Sequence, residues 1–171
     1  MHHLVRGIAC AIAFCLVPVA YAQTTAAPPA VAPSPPPSYG APITLDQARK
    51  VMDAAEAEAR KNNWNVAIAI VDSGAQLVMF HKLDDTHHAS IDIAHGKATS
   101  AVNFRRPTKS LEDAVAAGGA GLRLLAVRGT YPLEGGTPIV LGGKIVGGIG
   151  VSGVTSAQDA QVGRAGMDAL K

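Results

Sequence analysis

The chain is poor in charge and in aromatic rings. Charged residues make up 16% of its 171 positions, and Phe, Trp and Tyr together only 4%; an average domain carries roughly 25% charged residues. The formal net charge is +2. No basic stripe interleaves with aromatics, which excludes the electrostatic footprint of a nucleic-acid binder. Cysteine is nearly absent, with Cys10 and Cys15 the only two. No uninterrupted apolar run reaches the roughly 20 residues of a membrane-spanning helix. Apolar mass, by contrast, is plentiful: 48% of residues are hydrophobic, which a wholly disordered chain does not show.

Residues 1–22 read as a secretory signal peptide. Arg6, with His2 and His3, forms the basic start; Ile8 to Val19 is a short apolar run broken by Pro18; Ala20-Tyr21-Ala22 is a small-x-small cleavage site. Cleavage before Gln23 sends the protein to the periplasm or outside the cell. An uncleaved anchor and a lipoprotein are the competing readings, the latter disfavoured because the bulky Phe14 precedes Cys15. Both cysteines leave with the leader. The mature protein then has no disulfide and no thiol nucleophile in a compartment that permits disulfides. Residues 23–42 hold seven prolines; each lacks an N–H and fixes φ, so this segment reads as an extended, solvated spacer. The domain is residues 43–171, with 14 basic and 13 acidic side chains and enough length for one core.

Within the domain, Thr44-x-x-Gln47 is a capping box. Leu45, Ala48, Val51, Met52, Ala55 and Ala59 follow at helical spacing to about Asn62. Val66–Val71 and Gln76–Lys82, joined by Asp72-Ser73-Gly74, read as a hairpin. A second helix is expected over 90–104 and stops at Arg105-Arg106-Pro107. Ser110-x-x-Asp113 starts a short third helix, interrupted by Gly118, Gly119 and Gly121. Pro138–Leu141 and Lys144–Ser152, flanking Gly142-Gly143, form a second hairpin with a tight turn. Ser156-x-x-Asp159 opens a last helix. The order α-β-β-α-α-β-β-α implies an α/β (α+β) fold, an antiparallel sheet flanked by helices.

Gly148-x-Gly150-x-x-Gly153 matches a dinucleotide fingerprint only formally, since the βαβ unit and the later acidic residue are missing. Such glycines suit a flat strand that another backbone or a planar ligand approaches. Four histidines follow the leader: His81, His87, His88 and His95. His81 falls on a strand and reads as surface. His88, Asp92 and His95 are spaced i, i+4, i+7, so a helix starting by His87 places all three on one face. Imidazole and carboxylate are ligands for iron or zinc; the competing reading is a solvated helix start. Arg105 and Arg106 suit carboxylates or propionates, or complement a helix C-terminus.

Ser90-Ile-Asp-Ile-Ala94, Lys97-Ala98, Ala101, Phe104-Arg-Arg-Pro107, Gly135-Gly-x-Pro138, Gly143-Lys-Ile-Val-Gly-x-Ile-Gly-Val-Ser-Gly153 and Gln158-Asp159 together resemble the HbpS/GlcG-like family of extracellular haem-binding or haem-degrading domains. Thr44-Leu-x-x-Ala48 and Val71-Asp72-x-Gly74 fit as well, so the resemblance spans about 43–170. It implies a profilin-like fold and a homo-oligomer whose Gly- and Ala-rich faces pack between subunits. It also implies haem or iron as ligand. The chain's own chemistry offers His87, His88, His95 and Tyr131 as haem ligands and Arg105 and Arg106 as propionate partners. Three readings stay open: an exported haem- or iron-binding protein for capture, buffering or sensing; an enzyme that degrades haem or acts on a small polar metabolite; and a structural oligomer with no ligand.

Overall fold

The computed structural model describes residues 35–171; the expected leader and most of the proline-rich spacer lie outside the described residues. In chain order the elements are β1 (Ser38–Tyr39), α1 (Leu45–Lys61), β2 (Ala67–Asp72), β3 (Leu77–Lys82), α2 (Ser90–Asn103), α3 (Lys109–Ala116), a 3₁₀ segment (Gly119–Ala126), β4 (Gly136–Leu141), β5 (Lys144–Ser152) and α4 (Ser156–Asp168). The expected order of four helices and two hairpins is present. Two elements are added. The 3₁₀ segment follows Gly118, whose φ of +73° ends α3. The short β1 lies where a solvated spacer was expected: Ser38 and Tyr39 are flanked by prolines but are not prolines, and they pair in parallel with Lys144 and Ile145. The sheet is thus antiparallel except at β1. Among the described residues no helix is long and apolar enough to cross a membrane.

β5 is the central strand. β4 pairs along one side, from Gly136↔Gly150 to Leu141↔Lys144, and β2 along the other, from Ala67↔Ser152 to Asp72↔Gly147. β3 extends the sheet beyond β2. With period-2 alternation, β2 sends Ile68 and Ile70 to one face and Ala67, Ala69 and Val71 to the other. The first face is covered by α1 and α4, where Val51, Met52, Ala55 and Val162 join Ile149 and Val151 in the main core. The capping box starts α1 as its spacing requires: the Gln47 N–H donates to Thr44 Oγ1 and the Thr44 N–H to Gln47 Oε1 at 2.9 Å.

The second face carries α2, and small residues set its distance. Ala94 and Ala98 pack against Ala67, Ala69 and Val71. A Cβ at Gly150 would stand 2.1 Å from the Ala94 carbonyl oxygen, and one at Gly148 2.9 Å from that of Ala98. The glycine pattern of β5 is therefore a seat for a helix backbone within the same chain. Of the small-residue faces expected to pack between subunits, this one is filled by the chain's own sheet and helix. What the fold leaves exposed is different. Leu122, Leu125, Val127 and Leu133 lie in or after the 3₁₀ segment and are 42–64% exposed, and no residue of that segment is buried.

Candidate functional site

Helix α2 organises two sites, one on its outward side and one beneath it. On the outward side Asp92, His95, Gly96 and Thr99 meet Gly129 and Tyr131 around a hollow of about 240 Å³. The loop carrying Tyr131 is tied to the helix through Ser100, whose Oγ accepts the Tyr131 N–H at 2.9 Å and donates to the Gly129 carbonyl. The ring itself lies on the backbone of Gly96, where a Cβ would come within 2.2 Å of it. Any larger residue at 96 displaces the tyrosine. The Thr99 hydroxyl oxygen at this hollow is buried and has no hydrogen-bond partner, as is that of Thr130. An imidazole, a carboxylate and a phenol thus meet around one hollow.

The proposed metal set does not assemble as the spacing suggested. The helix begins at Ser90, so His88 lies in the preceding turn, where the Ile91 N–H bonds its carbonyl. His88 therefore loses the helical register that placed it above Asp92 and His95. Among the described residues no three His, Cys, Asp or Glu side chains form a group able to hold a metal ion. His87 is exposed and lies against the Ser90 hydroxyl at 3.1 Å. Of the sequence candidates, His95, Asp92 and Tyr131 come together; His87 and His88 lie outside the hollow.

Arg105 and Arg106 sit at the opposite end of α2, ten residues after His95, or about 15 Å along a helix. The Arg105 guanidinium stands over the Tyr39 ring at 5.8 Å. Tyr39 in turn donates its hydroxyl to the Val102 carbonyl at 3.0 Å, so the pair closes the helix C-terminus. Arg106 is exposed, its Nε donating to the Phe104 carbonyl.

Beneath the helix, Lys97 turns inward. Its ammonium donates to Asp159 Oδ2 at 2.8 Å and to the Val151 carbonyl at 2.9 Å, and the two side chains are 2% and 3% exposed. Asp159 Oδ1 accepts the Val154 N–H. Burial pushes the Asp159 carboxyl above its ordinary value, outweighing the opposing attraction of Lys97. Gly135, at φ +124°, passes directly over this pair; a Cβ there would lie 2.8 Å from the Lys97 nitrogen. Asp159 was expected to serve the start of α4. That start is instead made by Thr155, whose N–H and hydroxyl both reach Gln158 Oε1, which leaves Asp159 free to point inward. The signal for Lys97 was in the sequence: it falls between Ala94, Ala98 and Ala101 on the buried stripe of α2, where a charge requires a partner.

Comparison with known proteins agrees with this architecture. Residues 43–168 match the family model described as haem degrading protein HbpS-like. GlcG of Escherichia coli K12 is 38% identical over 110 residues, covering 64% of this chain and 81% of that protein. The crystal structure of a double mutant of Streptomyces reticuli HbpS superposes with a TM-score of 0.72 at 33% identity, covering 85% of this chain and 99% of that one. The crystal structure of a PduOC–haem complex gives 0.70 at 25% identity, covering 75% and 94%. With nearly the whole described domain inside the match, the chain belongs to the HbpS-like family.

Proposed function

We propose that the protein is an exported haem-binding protein, used for capture or buffering, and that it holds haem at the Asp92–His95–Tyr131 hollow. The observation that carries this is the meeting of His95 and Tyr131 around one hollow with Asp92, imidazole and phenolate being side chains of the types that ligate haem iron. Family membership and a relative crystallised with haem support it. Haem would supply the iron chemistry when bound; the chain would supply the ligand atoms and their orientation. Gly96 and Ser100 fix the Tyr131 ring, and the first turns of α2 present His95 and Asp92. Ile91 and Val127, 40% and 47% exposed, flank the hollow in sequence and offer apolar surface to a porphyrin.

The hollow is below the roughly 300–1,000 Å³ of a site that encloses a small molecule, so it covers only part of the macrocycle. A second copy of the chain docked through the exposed leucines of the 3₁₀ segment would cover more of it, and Arg105 or Arg106 would hold the propionates. Such an open site suits reversible loading. The direct test is an absorbance titration of the mature protein with hemin. A saturable shift of the Soret band is expected; a change that grows linearly with hemin and never saturates overturns the reading. Mass spectrometry of the exported protein is expected to find Gln23 at its N-terminus, and an intact Met1 would contradict export.

A further inference from the structure

A second groove lies away from α2, between the end of α1 and the end of β3. Two hollows of about 250 and 370 Å³ share Arg60, Leu83 and Asp84 and so run into one another. Trp64, the chain's only tryptophan, lines the first, and Phe80 lines the second. In a chain with so few aromatics this placement is informative. Trp64 packs partly on the core and keeps part of its surface for the groove. Asn63 and Asp85, both lining the first hollow, hold left-handed backbone angles of +55° and +60°.

The charges on the groove narrow the ligand. Glu56 is occupied on both oxygens, by His81 Nδ1 at 2.8 Å and by Arg60 at 2.6 Å, so this cluster is internally neutralised. Among the described residues Lys82, Asp84 and Asp85 enter no ion pair. Two carboxylates against one ammonium disfavour a polyanion, and an apolar ligand would strip water from them and from Asn63 and Asn65 without replacing its hydrogen bonds. A polyhydroxylated ligand meets both demands. Each hydroxyl donates once and accepts twice, matching interleaved amides, carboxylates and an ammonium, and the apolar face of a sugar ring covers an indole. Two joined hollows, each of ring size, fit two sugar units.

We infer that the Trp64–Asp84 groove binds a neutral saccharide of about disaccharide length, independently of the α2 site. Trp64 makes the test direct, because all tryptophan emission comes from this groove. The full protein is titrated with maltose, cellobiose and diacetylchitobiose. At least one is expected to give a saturable emission change. By calorimetry its affinity is expected to fall about tenfold in Asp84→Ala combined with Asp85→Asn, while the hemin titration stays unchanged. The inference is overturned if none of the three binds by either method, or if the double variant binds equally well. Saturable binding of tetramethylammonium with no sugar response would overturn it too, making the groove a cation site.

Discussion

Lys97 and Asp159, 62 residues apart in sequence, meet at 2.8 Å with both side chains sealed from water. The contact joins the inward side of α2 to the first turn of α4 beneath the Gly135 loop. A buried pair of this kind is costly to break and cheap to replace. Lys97→Met alone leaves a buried carboxylate without its cation and is expected to lose about 3–5 kcal/mol in urea denaturation. Lys97→Met with Asp159→Leu is expected to recover most of that loss. A double variant as unstable as the single one would show that the pair itself, and not the orphaned charge, carries the stability.

Asp159 and Glu56, whose carboxyls are shifted in opposite directions, should give pH dependences of opposite sign. Burial raises Asp159 above 3.8. Between that value and its higher folded one, the native state holds more protons than the unfolded state, so stability falls as pH rises through this window. Lys97→Met should steepen the fall and the apolar double variant should abolish it. Glu56 is held below 4.5 by its bond to His81 and then by Arg60. Its contribution is present above pH 4.5 and is lost as pH falls through the folded value, so Glu56→Gln should flatten the acid limb. Urea midpoints from pH 3 to pH 8 read both effects.

Gly150 and Gly96 separate packing from site geometry. Gly150→Ala drives a methyl into the Ala94 carbonyl and is expected to cost at least about 1–3 kcal/mol, the range for overpacking. At Gly96 the three atoms nearest an added Cβ all belong to the Tyr131 ring, a side chain that can swing outward. Gly96→Ala is expected to change stability little and to alter the hemin spectrum. If both variants are equally destabilised, the Tyr131 loop is part of the core.

Self-association is expected through the exposed leucines of the 3₁₀ segment, since the Gly148–Gly150 face of the sheet is used internally by α2. Sedimentation should show oligomers for the wild type and monomers for Leu122→Asp with Leu125→Asp. A double variant that stays oligomeric would move the interface elsewhere.

Most of the fold was legible because its signals are local. The Thr44–Gln47 box, the continuous apolar run of β2, the Gly142-Gly143 turn and the helical stripe of α1 each act within a few residues. The strand β1 was not legible, because two residues bond only when β5 is already in place. The site was half legible. Residue chemistry singled out His95, Asp92 and Tyr131, but helical register was extended two residues too early, which drew in His88. Thr99, Ser100 and Gly96 were invisible beforehand: a small or hydroxyl side chain acquires a role only when the 129–131 loop folds back over it. Lys97 was readable as a charge on an apolar helix stripe, whereas Asp159 read as a helix start and their pairing across 62 residues was not legible.

The account rests most heavily on haem at the α2 hollow. The decisive measurement is one hemin titration followed at the Soret band for the wild type, His95→Ala with Tyr131→Phe, and His87→Ala with His88→Ala. The His95/Tyr131 variant is expected to lose the shifted band or at least about tenfold in affinity, while the His87/His88 variant matches the wild type. A wild-type spectrum and affinity in the His95/Tyr131 variant would contradict the account.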